Sequence, residues 1–310
     1  MWIGKIKTLY LYQKFAIAYK KWIVERDPVK EINRCYKKVF DGKLPDLKNP
    51  KNLIEKIYWM ELYTDTALWS KCTDKYLMRE YVKDCGLADY LPKLLAHWDK
   101  AEEMDFSGLP KEFILKTNNG CGTCYVVKDK GKEDIAKIKR RFKRWLSLKT
   151  QGYSNAQLHY LNIQPCIIAE ELLHPSEIEQ QISPSSLIDY KVWCFSGKPV
   201  CILVTYNRSN LSHYVDLYDT KWNRIDVYLN KKSINFKQSF IPKPNCLVRM
   251  LEMASILSKP FLEVRVDFYV INDTPLIGEL TFSAGYCSYT EEFYDYLGSM
   301  IDLNKVKKVR

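Results

Sequence analysis

Apolar positions near the C-terminus fall into two alternating runs, about 262–271 and 275–282, on either side of Asn272-Asp273-Thr274. A period of two marks strands, and Asn-Asp tolerates a tight turn, so the runs predict a β-hairpin closing near Asn272 and Asp273. Arg265 and Asp267 then share one face, and Glu279 and Thr281 share a face of the partner strand. Asp267 and Glu279 become near cross-strand neighbours. Both acids stand among apolar residues, where a charge is costly unless compensated. Two readings stay open at this point. The pair holds a divalent cation, for which hard oxygen donors and Mg²⁺ are apt, or Arg265, Asp267 and Glu279 form a structural ion-pair cluster.

The N-terminal half has helical spacing instead. Trp2, Ile3, Ile6, Leu9, Tyr10, Ala16, Ile17, Ile23 and Val24 mark a stripe over residues 2–24, with Lys7, Lys14 and Lys21 recurring at sevens. The helix this predicts is basic and amphipathic. It packs on the protein body, or it lies on an anionic membrane surface or a membrane partner with Trp2, Tyr10 and Tyr12 near the headgroups. Further helices are predicted over 29–40, 51–63, 74–84, 133–148, 245–257 and 291–297. Asn49-Pro50 is the expected start of the third helix, Asn245 that of the 245–257 helix, and Thr73 the cap of 74–84, which Gly86 closes. Lys75 would thus lie in a first turn, where the helix dipole disfavours a cation, so an anionic ligand is a candidate reason for it. Strands are predicted over 93–98, 109–116, 124–128, 164–173, 188–195 and 199–206, irregular segments with short strands over 209–243, and a loop over 283–286. The fold class is α+β.

Charge narrows the partners only slightly. The formal charge is +11, and the first forty residues carry ten basic against three acidic side chains. Nucleic acid, an acidic polymer, an anionic membrane surface and a polyphosphate ligand all suit that balance. No zinc-finger spacing, RNP motif or heptad series supports nucleic acid, which is not expected as a partner. The basic helix 133–148 reads as a solvated face or a contact for acidic polymer. The ten cysteines follow no framework spacing, and several stand in apolar strands, so a reducing cytoplasm is expected. Cys121-Gly-Thr-Cys124 is a lone pair without a second pair or clustered histidines to complete a zinc site. No run of about 18 apolar residues is present, and the N-terminus lacks a signal-peptide core.

The remaining candidate chemistry is spread along the chain. Lys116 ends a strand and leads into Thr117-Asn118-Asn119-Gly120-Cys121-Gly122-Thr123. Glycines let backbone N–H groups approach phosphate oxygens and the lysine supplies charge. An ordinary hairpin turn is the competing reading, and no Walker loop is present. Glu170-Glu171 close an apolar strand, Asp189-x-Lys191 lies on another, and Arg208 follows its partner. The ordered set resembles the ATP-grasp superfamily. Local wording is similar to the branch named for TupA, a teichuronopeptide-biosynthesis protein: 53–59 (LIEKIYW), 74–82 (DKYLMREYV), 113–116 (FILK), 169–172 (AEEL), 189–191 (DYK), 265–269 (RVDFY) and 278–282 (GELTF). The likeness covers about 41–297.

The resemblance implies an ATP-grasp fold, two α+β lobes clasping ATP after an N-terminal helical region. The expected units are 1–72, helical; 73–165, a lobe with a glycine-loop lid; and 166–310, a lobe with the metal site. It implies that Lys75, Lys116 and Lys191 contact phosphates and that Asn118, Gly120 and Gly122 belong to the closing loop. Glu170, Glu171, Leu172 and Leu173 would line adenine. Asp267, Glu279 and Thr281 would hold Mg²⁺, with Arg265, Lys191 and Arg208 as catalytic cations. Thr281 replaces the Asn of many ATP-grasp enzymes, as in the TupA-like branch; Asn119 and Cys121 replace a frequent His and Ser. The activity implied is ADP-forming ligation of a carboxylate to an amine, in surface polysaccharide assembly. Residues 1–40 would make any contact with the inner membrane face or a glycosyltransferase. A kinase on the same site, and a non-enzymatic binder of anionic polymer or membrane, are the alternatives.

Overall fold

Two antiparallel sheets meet at one cleft, and the N-terminal helices pack beneath the second. The computed structural model describes residues 2–147, 150–209, 212–230, 241–283 and 289–309. Helices α1 (Trp2–Arg26) and α2 (Pro28–Val39) lead, followed by α3 (Leu53–Tyr63), α4 (Ala67–Thr73) and α5 (Met78–Asp84). Strands β1 (Leu94–Trp98), β2 (Phe113–Thr117) and β3 (Cys124–Val127) precede α6 (Ile135–Leu146) and α7 (Thr150–Asn155). Then come β4 (Ile167–Glu170), α8 (Glu177–Ile182), β5 (Asp189–Phe195), β6 (Lys198–Tyr206) and β7 (Tyr214–Asp219). The chain continues through α9 (Leu247–Ser258), β8 (Val264–Ile271), β9 (Thr274–Thr281) and α10 (Glu291–Ser299). The side chains of Trp2, Ile3, Ile6, Leu9 and Tyr10, and most of the loop expected at 283–286, lie outside the described residues. So do 210–211 and 231–240, within the segment expected to be irregular.

The first sheet runs β1-β4-β2-β3 and the second β7-β6-β5-β8-β9. Strand β4 follows residue 166 yet is an inner strand of the first sheet, between β1 and β2. Its four residues are all buried, which is why the sequence shows a continuous apolar run there. Phe113, Leu115, Val127, Ile138, Phe142, Ile167 and Ala169 form a core of the first sheet against α6. A second, larger core joins α2, α3, α4 and α5 to β5, β6, β8, β9, α9 and α10. The leading helices therefore share a core with the second sheet. Gly298 marks how tightly: a Cβ there would stand 2.3 Å from the Lys51 carbonyl oxygen.

Several helix starts differ from the expected ones. The third helix begins at Asn52, not Asn49, because Asn52 and Glu55 make a reciprocal capping box. Asn245 does not cap α9; Cys246 holds that place and no side chain caps it. Thr73 ends α4 instead of capping a helix over 74–84. The chain then makes a turn in which the Asp74 carboxylate accepts from the N–H groups of Tyr76 (2.8 Å) and Leu77 (3.1 Å). Short polar side chains compete with helix for backbone donors in this way. Lys75 stands in that turn, so the dipole argument for it fails. Gly86 does end α5, at φ +74°.

Candidate active site

The β8–β9 hairpin closes through Asn272 and Asp273, both at positive φ (49° and 62°), as a two-residue hairpin loop demands. Asp267 then pairs directly with Glu279, and Arg265 with Thr281. The register shifts between Asp267 and Phe268, because Gly278 is an extra residue opposite them. A Cβ on Gly278 would meet the Tyr269 ring at 2.9 Å. The bulge lets Tyr269 lie over the glycine beside the acids, and bulges commonly re-aim side chains next to functional sites.

Asp267 is 4 % exposed and carries three charge-assisted bonds. Arg265 donates through Nε (2.6 Å) and Nη2 (2.7 Å), and Lys191 Nζ donates at 2.8 Å from the opposing position on β5. Burial works to raise the Asp267 pKa, but the guanidinium and ammonium outweigh it and hold the carboxyl below its ordinary value. Lys191 also lies 3.4 Å from Asp189, which Arg208 pairs at 3.0 Å. Arg265 Nη2 reaches Thr281 Oγ1 at 3.4 Å. One face of three strands thus presents Asp189, Lys191, Arg265, Asp267, Glu279 and Thr281 together.

Lys75 connects this face to the first sheet's glycine loop. Its Nζ donates to Glu279 Oε1 and to the Gly120 carbonyl, both at 3.2 Å. Burial opposes its charge, Glu279 restores it, and the net pKa lies above the ordinary lysine value. The loop is tight at Gly120, where a Cβ would stand 1.8 Å from Thr123 Oγ1. Gly122 takes φ +71°. Asn118, expected among the nucleotide contacts, is 0 % exposed. Its amide nitrogen donates to Asp74 Oδ2 (2.7 Å) and the Gln164 carbonyl (2.9 Å), and its oxygen accepts from Cys166 N (2.8 Å). Its own carbonyl accepts from Lys75 N. The side chain is spent on holding the Lys75 turn against the root of the loop.

A cavity of about 280 Å³ opens between the sheets. Lys116, Glu170, Glu171, Leu172 and Leu173 line it from the first sheet, and Asp189, Arg208 and Tyr269 from the second. Lys116 Nζ rests on Glu170 at 2.7 Å, and Arg79 holds the other oxygen of that carboxylate at 3.0 Å. Glu171 N donates to the Lys93 carbonyl while its carboxylate accepts from Lys93 N, which frees the chain at Leu172 and Leu173 to border the cavity. Arg79, the Asp74–Asn118 latch, the α4 helix and the Gly278 bulge were not legible in the sequence. Arg79 lies four residues after Lys75, a helical spacing that could have drawn attention to it.

The donor set suits Mg²⁺. Among the described residues no group of three or more His, Cys, Asp or Glu side chains converges. Two facing carboxylates, with the rest of the shell left to phosphate oxygens and water, is how Mg²⁺ commonly binds beside a nucleotide. Asp267, Glu279 and the Thr281 hydroxyl are the residues that would hold it, and Lys191, Arg265 and Lys75 are the cations now balancing them.

Glu263 continues the same face beneath Arg265. It is 0 % exposed and neither carboxyl oxygen has a hydrogen-bond partner among the described residues. Burial and the Glu61 carboxylate push its pKa well above the ordinary value, with Arg265 opposing; Glu61 is itself bound by the buried His159 at 2.8 Å. Folded Glu263 keeps a proton that the unfolded chain releases above about pH 4.3. Its contribution to stability is therefore greatest at low pH and is lost as pH rises. Glu263→Gln is expected to be more stable than wild type by at least about 1 kcal/mol at pH 8, with the difference shrinking at pH 5. Urea unfolding at both values checks this, and an equal difference at the two would contradict it.

Two sheets clasping a cleft, lysines on one wall and paired acids on the other, define a nucleotide clasp of the ATP-grasp type. The chain belongs to the TupA-like ATP-grasp family, whose model matches residues 55–302. No curated protein matches it. Among solved structures it is similar to the D-alanine–D-alanine ligase of Bacillus anthracis complexed with ATP: 14 % identity over 77 % of this chain and 67 % of that one, TM-score 0.49. It is also similar to the Helicobacter pylori D-alanine–D-alanine ligase, at 15 % over 74 % and 59 %, TM-score 0.39. The L-amino acid ligase of Bacillus licheniformis matches at 11 % over 71 % and 42 %, TM-score 0.40.

Proposed function

We propose that the protein is an ATP- and Mg²⁺-dependent ligase that joins a carboxylate to an amine and releases ADP. The observation that carries this reading is the direct pairing of Asp267 with Glu279, ringed by Lys191, Arg265 and Lys75 and joined to the cavity wall through the Lys191–Asp189 contact. Leu172 and Leu173 border the cavity as an apolar wall for the adenine, while Lys116 turns from Glu170 to the phosphates. Magnesium, when bound, neutralises the terminal phosphates. The substrate carboxylate attacks the γ-phosphate, the γ-phosphorus–oxygen bond to ADP breaks, and an acyl phosphate forms. Arg265 and Lys191 offset the charge that spreads over the transferring group. The amine then displaces phosphate and loses a proton. No nucleophilic side chain takes part, and the loop around Gly120 excludes water that would hydrolyse the acyl phosphate. Following the TupA-like family resemblance, we place the product in surface polysaccharide assembly, with an amino acid amide-linked to a sugar acid or amino sugar. Phosphorus NMR over a panel of amino acids and sugar nucleotides tests this. ADP and free phosphate that appear only when carboxylate and amine are both present are expected. AMP, or a stable phosphorylated acceptor as a kinase would give, would overturn it.

A further inference from the structure

Among its described side chains, helix α1 is packed on one side only. Ile23 and Val24 are buried where it meets α2 and α7. On another side Tyr12, Phe15, Tyr19 and Trp22 stand 69 %, 75 %, 56 % and 49 % exposed. Spacings of three, four and three residues put all four within an arc of roughly 80°. The Tyr19 and Trp22 rings stack with centroids 6.2 Å apart, and the Arg26 guanidinium sits 4.6 Å from the Trp22 ring. Other exposed large apolar side chains are scattered along the chain, as on any globular surface. A contiguous row of this kind marks an interaction surface.

We propose that α1 lies flat on an anionic lipid bilayer, with this aromatic row at the boundary between headgroups and acyl chains. Three features select that occupant. The row is built from Tyr, Trp and Phe, whose rings, two of them with a polar tip, suit the bilayer interface. The charge around it is strongly positive: of the three acids in the first forty residues, Glu31 is buried against Arg34, Glu25 lies 3.7 Å from Lys21, and Asp27 caps α2. Lys30, Lys37 and Lys38 of the following helix α2 are exposed. Two copies meeting through this row would bring like charges together, whereas anionic lipid complements them. The helix rests on the surface and does not cross it: among the described residues no helix is long and apolar enough to span. The inference is independent of the enzymatic reading.

The test uses the full chain. Sedimentation with phosphatidylcholine vesicles, with and without a third of phosphatidylglycerol, is compared for wild type and for Tyr12→Ser/Phe15→Ser/Tyr19→Ser/Trp22→Ser. All four positions are exposed, so the melting temperature of the variant should match wild type. Wild type is expected to bind the anionic vesicles about tenfold or more better than the neutral ones, with binding falling as salt rises. The variant is expected to remain in the supernatant. Failure of wild type to bind anionic vesicles, or undiminished binding by the variant, would overturn the proposal. So would light scattering that shows a wild-type dimer and a monomeric variant without lipid binding, since the row would then join two copies.

Discussion

Replacing Glu279 by glutamine is expected to cut ATP-dependent product formation by about 10²–10³-fold, the loss typical of removing one preorganised charge-stabilising group. The substitution keeps shape and removes only charge. Glu279 is partly exposed, its side chain at 29 %, and it pairs with Lys75 at 3.2 Å. Stability should fall too, because largely buried Lys75 loses the carboxylate that restores its charge, but by less than at Asp267, which is itself buried and shared by two cations. That difference is what makes Glu279 more informative than Asp267. Asp267 lies between Arg265 and Lys191, and an Asn there would leave two buried cations without their carboxylate, at a cost of about 3–5 kcal/mol. Steady-state ADP release and thermal unfolding on the same preparation check the expectation. An active Glu279→Gln enzyme would return the hairpin cluster to a purely structural role.

Asn118→Ala is expected to lower stability through lost hydrogen bonds alone, with no change of charge at the site. It removes three hydrogen bonds and leaves one oxygen of Asp74 and the Cys166 N–H buried with no side-chain partner, while the carbonyl of exposed Gln164 can turn to water. Orphaned buried groups cost about 1–3 kcal/mol each, so a total loss of about 2–6 kcal/mol is expected for the two. Asp74 suffers most: burial already raises its pKa against the bonds it accepts from Leu77, Tyr76 and Asn118. Because Asp74 shapes the turn that carries Lys75, nucleotide affinity should fall as well, by about tenfold, equivalent to 1.4 kcal/mol. Urea midpoints and titration with a non-hydrolysable ATP analogue read the two effects. A stability loss below about 1 kcal/mol would show that water replaces the amide and that the latch is dispensable.

The hairpin was legible because its signals are local. Alternating apolar residues, Asn272-Asp273 at the turn and two charges in register follow from a strand period of two and a two-residue loop. The facing of Asp267 and Glu279 came with them. What the sequence hid depends on long-range pairing. Strand β4 reads as a buried strand, but nothing in its residues says that it enters the first sheet between β1 and β2. Asn118 reads as one more small polar residue of a glycine loop, and only its contacts with Asp74, Gln164 and Cys166, each over 40 residues away, show that it is a brace. The break at Asp74 was missed because the carboxylate captures two backbone donors within a segment of otherwise helical spacing. In α1 the stripe was visible, but which aromatics remain outside was set by where α2 and α7 pack.

The most direct test of the central claim is whether Asp267 and Glu279 hold a metal that arrives with the nucleotide. Mn²⁺ can stand in for Mg²⁺ and its paramagnetic resonance reports binding, so wild type and Glu279→Gln are titrated with Mn²⁺ in the presence and absence of a non-hydrolysable ATP analogue. Wild type should immobilise Mn²⁺ only with the analogue present, and Glu279→Gln should bind it at least about tenfold more weakly. Equal Mn²⁺ binding by both proteins, or analogue binding to wild type that is indifferent to divalent metal, would contradict the account.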